Sequence, residues 1–187
     1  MLLILTLILA VIPTDAEAAI YDDTLRLHIL ARSDSTEDQA VKLKIRDFVL
    51  SEWGEDFEAV GNSEDAERMA EELIPDIRRG VNAELEALGA DYRCEVTVTK
   101  EWYDTREYED FTLPAGIYSS VRILLGGGEG KNWWCVMYPP LCTEIASERA
   151  PADDGAGCYT DEEDRLIRRG KYSYKFKILE LFAKAFS

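Results

Sequence analysis

The sequence predicts an α+β chain: a single domain with a mixed or antiparallel four-stranded sheet covered by helices. Three observations lead there. Two segments alternate apolar and polar residues as strands do and two more read as strands, and long runs between and after them keep a helical period. The length of 187 residues, 47% of them apolar, suits one domain with a true core.

The chain opens with Leu2 to Ile12, an apolar run broken only by Thr6. As a helix it would measure about 16 Å, short of the ~30 Å hydrocarbon core. Pro13 ends it, and Ala16-Glu17-Ala18 then offers the small-x-small pattern of a signal-peptidase site. Residues 1–18 are therefore expected to be a signal peptide or, if uncleaved, an N-terminal membrane-anchor segment and the chain's one membrane contact. Residues 19–187 would form the exported domain.

Thr24 to Arg32 alternates Leu25, Leu27, Ile29 and Ala31 against Arg26, His28 and Arg32, the pattern of a half-buried strand. A helix should follow, capped by Ser35 with Asp38 or by Thr36 with Gln39. Val41, Ile45, Phe48, Val49 and Trp53 form its stripe, and Leu43 and Leu50 lie on the opposite side. Gly61-Asn62-Ser63 breaks it, and a second helical run holds its period from Ala66 to Leu88. Pro75 inside that run predicts a sharp kink or two helices, and Gly89 a left-handed end. Tyr92 to Thr99, Ile117 to Leu125 and Trp133 to Tyr138 read as three more strands. Leu113-Pro114-Ala115-Gly116 is a turn, and the glycine-rich Gly126 to Asn132 a plain hairpin connection. Thr143 to Asp164 holds eight acids and one base and reads as an acidic mobile loop over 143–164. Tyr172 to Phe186 is expected to be an amphipathic helix docked on the sheet.

Composition excludes more than it selects. With 21 Lys+Arg against 37 Asp+Glu the net charge is −16, so a nucleic-acid partner is not expected. One histidine, His28, leaves little room for a metal site or a histidine-centred triad, and no Cys/His cluster has zinc spacing. GGGEGKN lacks the Ser or Thr of a phosphate loop and precedes a strand rather than a helix. No cofactor, metal or small-molecule substrate is expected.

Four cysteines suit an oxidising compartment. Cys135 and Cys142 flank a short loop with Pro139-Pro140 and are the favoured bridge, which leaves Cys94 and Cys158 as the remaining pair. A small buried thiol is the alternative for Cys94. Cys135 with His28 would make a thiol–imidazole pair, so an extracytoplasmic thiol hydrolase is one rival reading. Lys131-Asn132-Trp133-Trp134, followed by Tyr138-Pro139-Pro140, stands out most. Adjacent tryptophans on a strand point to opposite faces. They are either both covered by helices or partly exposed as a protein-binding surface. A cell-wall sugar-binding module is the other rival.

Several long, irregular segments resemble one known family. They are Leu25 to Ser35 with Glu37 to Asp47, Leu113 to Gly116, Gly130 to Cys142, and Tyr174 to Phe182. Together they are similar to the stage II sporulation protein R family, over nearly the whole chain after the leader. The resemblance implies a protein made in the forespore and exported into the space between forespore and mother cell. There it would activate a membrane-embedded aspartic protease of the mother cell, which removes the pro-sequence of sigma-E. It implies a signal without catalytic residues. The partner-binding candidates are Lys131, Asn132, Trp133, Trp134, Tyr138, Pro139 and Pro140, clamped by Cys135–Cys142. Arg32 and Asp34, at the strand–helix turn, form a second candidate whose simpler reading is a helix cap.

Overall fold

Leu25–Leu30 (β1) is buried at all six positions, Arg26 and His28 included. Alternation predicted a half-buried strand, and the difference comes from its place in the sheet. In the computed structural model, which describes residues 15–108, 111–141 and 159–168, β1 lies inside the four-stranded order β2-β5-β1-β6. Its neighbours are β5 (Gly116–Leu125), parallel to it, and β6 (Asn132–Tyr138), antiparallel to it. The outer strand beside β5 is β2 (Cys94–Tyr103). The sheet is therefore mixed, and the fold class is the α+β one expected from sequence.

The topology corrects one expectation. β5 and β6 are not a hairpin, because β1 lies between them. The Gly126 to Lys131 connection instead crosses the C-terminal end of β1. Its glycines permit this: a Cβ on Gly130 would collide with the Ser33 carbonyl, so only glycine lets the two backbones approach so closely.

The chain divides into two compact units. One comprises 23–100 and 119–158. In it α2 (Thr36–Glu58) and α3 (Ser63–Ala87) pack on each other and on β1, and α2 also packs on β6. Ser35 is the α2 cap, accepting from the Asp38 amide. Ile45 and Val49 are fully buried and Leu50 nearly so, while Leu43 is 40% exposed. α3 runs as one helix through Pro75 rather than as two. Pro75 is on the exposed side, while Ala66, Ala70, Ile77, Val81 and Leu85 bury the other side both before and after it. Packing on both flanks offsets the lost backbone bond. Gly89, at φ 76°, ends α3 as expected, its amide bonding to Glu86 O and that of Ala90 to Leu85 O.

The other unit comprises 1–22, 101–118 and 159–187. Its described elements are α1 (Asp15–Asp22), the short ladder of β3 (Arg106–Glu107) with β4 (Thr112–Leu113), and α4 (Asp161–Arg168). The rings of Tyr21 and Tyr103 each meet that of Tyr118 edge-on, and Tyr118 donates to Pro114 O at 2.7 Å. α4 shortens the predicted acidic loop: Asp161 to Asp164 are helical. Thr160 and Glu163 cap this helix reciprocally, Glu163 Oε2 accepting from the Thr160 amide and Thr160 Oγ1 from the Glu163 amide. The rest of that loop and the predicted 172–186 helix lie outside the described residues, as does most of the 1–18 segment. Among the described residues no helix is long and apolar enough to cross a membrane.

The close approach at Gly130 gives a direct test. Gly130→Ala is expected to lower stability by about 1–3 kcal/mol, read as a lower urea midpoint with unchanged m-value.

Candidate functional site: the loop seated on the β1–α2 junction

Residues 31–35 turn the chain from β1 into α2, and short polar side chains hold the turn. Ser33 Oγ donates to Asp38 Oδ2 at 2.5 Å and accepts from the Ser35 amide at 3.2 Å. Gln39 Nε2 donates to Ser33 O at 2.9 Å, and the Tyr92 hydroxyl donates to Asp38 Oδ1 at 3.3 Å. The Ser33 hydroxyl is the main reason the Asp38 carboxyl sits below its ordinary 3.8; partial burial opposes it, and Tyr92, Ser35 and Arg32 reinforce it. Burial, then the charge of Asp38, pushes Tyr92 up to about 12. Arg32 pairs with Asp91 at 2.5 Å and lies 4.9 Å from the centre of the Tyr92 ring.

The crossing loop is seated on this turn. Gly130 N donates to Ala31 O at 2.8 Å, and Lys131 N donates to Asp34 Oδ1 at 2.7 Å. From α2, Lys42 Nζ donates to Gln39 Oε1, Lys131 O and Asn132 O at 2.7, 3.0 and 3.4 Å. Lys42 is only 4% exposed, and burial lowers its pKa. The two partner-binding candidates read from sequence, Arg32/Asp34 and the start of the tryptophan strand, thus form one continuous surface.

The tryptophans occupy opposite faces of β6, as adjacent strand residues must. Trp134 pairs across the strands with His28, and their rings stack with centroids 5.6 Å apart; His28 Nε2 also lies 3.1 Å from Asn132 Oδ1. Trp133 pairs with Ile29 and carries the Arg46 guanidinium 5.3 Å from its ring centre. Both tryptophans are half-buried, and Lys131, Asn132, Arg32 and Asp34 are exposed. Tyr138 and Pro139 are buried and Pro140 is half-buried. The exposed surface is therefore narrower than the predicted ribbon: Tyr138 and Pro139 lie in the interior that supports it.

The cysteines need one correction. Cys94 is a free, buried thiol, so the Cys94–Cys158 pair is not formed. Cys94 Sγ lies 3.7 Å from Arg78 O, and burial pushes its pKa up to about 11. Cys135 is disulfide-bonded; Cys142 and Cys158 lie outside the described residues. A thiol–imidazole pair of Cys135 with His28 accordingly has no free thiol. Among the described residues no group of three or more His, Cys, Asp or Glu could hold a metal ion. What this site offers chemically is a set of fixed donors and acceptors around two half-covered aromatic rings.

Sequence reasoning missed Lys42, Ser33, Gln39 and Tyr92 as parts of the site. Lys42 carried a signal: it lies on the inward stripe with Ile45 and Val49, where a lysine needs acceptors.

The comparisons bear on this same region. The family model described as stage II sporulation protein R matches residues 21–148, which takes in the junction, the crossing loop and all of β6. The chain belongs to the stage II sporulation protein R family. A relative of that name from Bacillus subtilis (strain 168) is 40% identical over 124 residues, 65% of this chain and 54% of the relative. The chain thus spans about half the length of the curated relative it matches. No solved structure matches.

Two tests follow. Asp38 has a folded pKa below its unfolded one, so its stabilising contribution is complete above the unfolded value and lost as pH falls through the folded one. Asp38→Asn is expected to flatten the fall in urea midpoint between about pH 5 and pH 3. The Cys94 thiol should resist a disulfide reagent near neutral pH in native protein and react once the chain is unfolded. Peptide mapping after labelling reads both states.

Proposed function

We propose that this chain is an exported signal of endospore formation, made in the forespore and acting in the space between forespore and mother cell. It activates the mother cell's membrane-embedded aspartic protease, which then removes the pro-sequence of sigma-E. It works by binding and carries out no catalysis. Family membership and the leader pattern of residues 1–18 support this reading. The observation that carries it is the seating of the crossing loop on the β1–α2 junction, which gives the protein a preformed polar and aromatic surface.

Such a surface suits a population shift. A protease poised between inactive and active forms responds only to a ligand that binds the active form better. A pre-ordered ligand loses little conformational freedom on binding, so more of its contact energy is available for that discrimination. Lys131, Asn132 and Arg32 supply exposed polar contacts, and Trp133 and Trp134 supply the aromatic area typical of interface hot spots. The interior position of Cys94 and the disulfide at Cys135 give the thiol-hydrolase reading no support.

Lys131→Glu and the double change Trp133→Ala with Trp134→Ala are expected to lower sigma-E processing at least tenfold at matched protein levels. Each loss corresponds to removing about 1.4 kcal/mol or more of binding energy. Sporulating cells carrying each variant, blotted for pro-sigma-E and its product, supply the measurement. Undiminished processing with both folded variants would remove this surface from the proposal.

A further inference from the structure

We infer that Lys42 is a positioning residue for the receptor-facing surface, holding the entry of β6 at the height where Lys131 and Asn132 project outward. The inference rests on the reading of that surface given above. Lys42 is the first buried residue of α2, on a face continued by Ile45, Val49, Leu50, Gly54 and Phe57. A charged ammonium there is costly to bury unless its donors are used, and an unbranched apolar residue of similar length would fill the space without that cost. Its donors are used, one on the last carbonyl of the crossing loop and one on the first carbonyl of β6.

The geometry at Lys131 is the stronger argument. Consecutive carbonyls of an extended strand point in opposite directions, yet those of Lys131 and Asn132 lie 3.0 and 3.4 Å from one Nζ. Lys131 precedes β6, so its carbonyl can turn toward the same ammonium as that of Asn132, the first residue of the strand. On the other side of the same residue, the Lys131 amide is held by Asp34. Both backbone polar groups of Lys131 are thus satisfied by side chains from the junction and α2, and its own side chain is left exposed. Gln39, the third partner of Lys42, also bonds the Ser33 carbonyl, so one chain of contacts ties the α2 cap to the loop. Beyond this point β6 is secured independently by its ladder to β1.

The test uses the full chain with Lys42→Met, which keeps length and removes the donors, and Lys42→Arg, which keeps the charge. Amide exchange at Lys131 and Asn132 in Lys42→Met is expected to rise at least tenfold, with β1 and β5 amides unchanged and sigma-E processing reduced at least tenfold. Lys42→Arg should restore most of both. Unchanged exchange at Lys131 and Asn132 would overturn the inference. So would acceleration spread evenly over the sheet, which would make Lys42 an ordinary structural residue. Loop-confined acceleration with full processing would uphold Lys42 as the holder of the loop and place the error in the surface assigned to the receptor. If Lys42→Met does not fold, Asp34→Ala, an exposed change that removes the acceptor on the other side of Lys131, must give the same loop-confined acceleration, and its absence would overturn the inference.

Discussion

The crossing of the Gly126 to Lys131 loop over the end of β1 is the constraint on which the sheet and its surface depend. It inserts β1 between β5 and β6, which makes β1 an inner strand and explains why six consecutive residues there are buried. It also presses Gly130 against the Ser33 backbone. Residues 32–34 and 131–134, about a hundred positions apart in sequence, become neighbours for that reason alone. Backbone contact sets the distance between them, and Asp34 and Lys42 fix the orientation.

The surface that results is chemically modest. Several of its charged groups are already paired or engaged: Arg32 with Asp91 and Tyr92, Asp38 with Ser33 and Tyr92, Lys42 with three oxygens. Networks of this sort rigidify a turn when every member is satisfied. A stiff, presentable surface is what a binding signal needs, and the strongly acidic remainder of the chain disfavours stray association with anionic polymers.

Much of this was legible in the sequence. The alternation of Leu25, Leu27 and Ile29, the Ser35 cap and the Gly89 stop located β1, α2 and the end of α3 through local rules that tertiary contacts did not override. The failures share one physical origin, since each depended on contacts distant in sequence. The strand order could not be read because a glycine run fits a hairpin and a crossing equally well. Pro75 did not split α3 into two helices because packing on both sides of it outweighed one missing amide. The burial of Cys94, and with it the absence of a Cys94–Cys158 bridge, is set by the elements that pack around β2. The α4 start was different: Thr160-Asp161-Glu162-Glu163 carries the local capping signature, which the surrounding acids obscured. Within the site, Arg32, Asp34 and Lys131 to Trp134 were named from sequence. Lys42 was not, because only the structure shows which carbonyls it reaches.

The most direct measurement is site-specific photo-crosslinking to the membrane-embedded protease during sporulation, with the reactive group placed in turn at Lys131, Arg32 and Glu95. Glu95 is exposed on β2, at the opposite edge of the sheet from β6. Crosslinks from Lys131 and Arg32 with none from Glu95 are the expected result. Capture from Glu95 alone would contradict the claim that the seated loop is the surface the receptor reads.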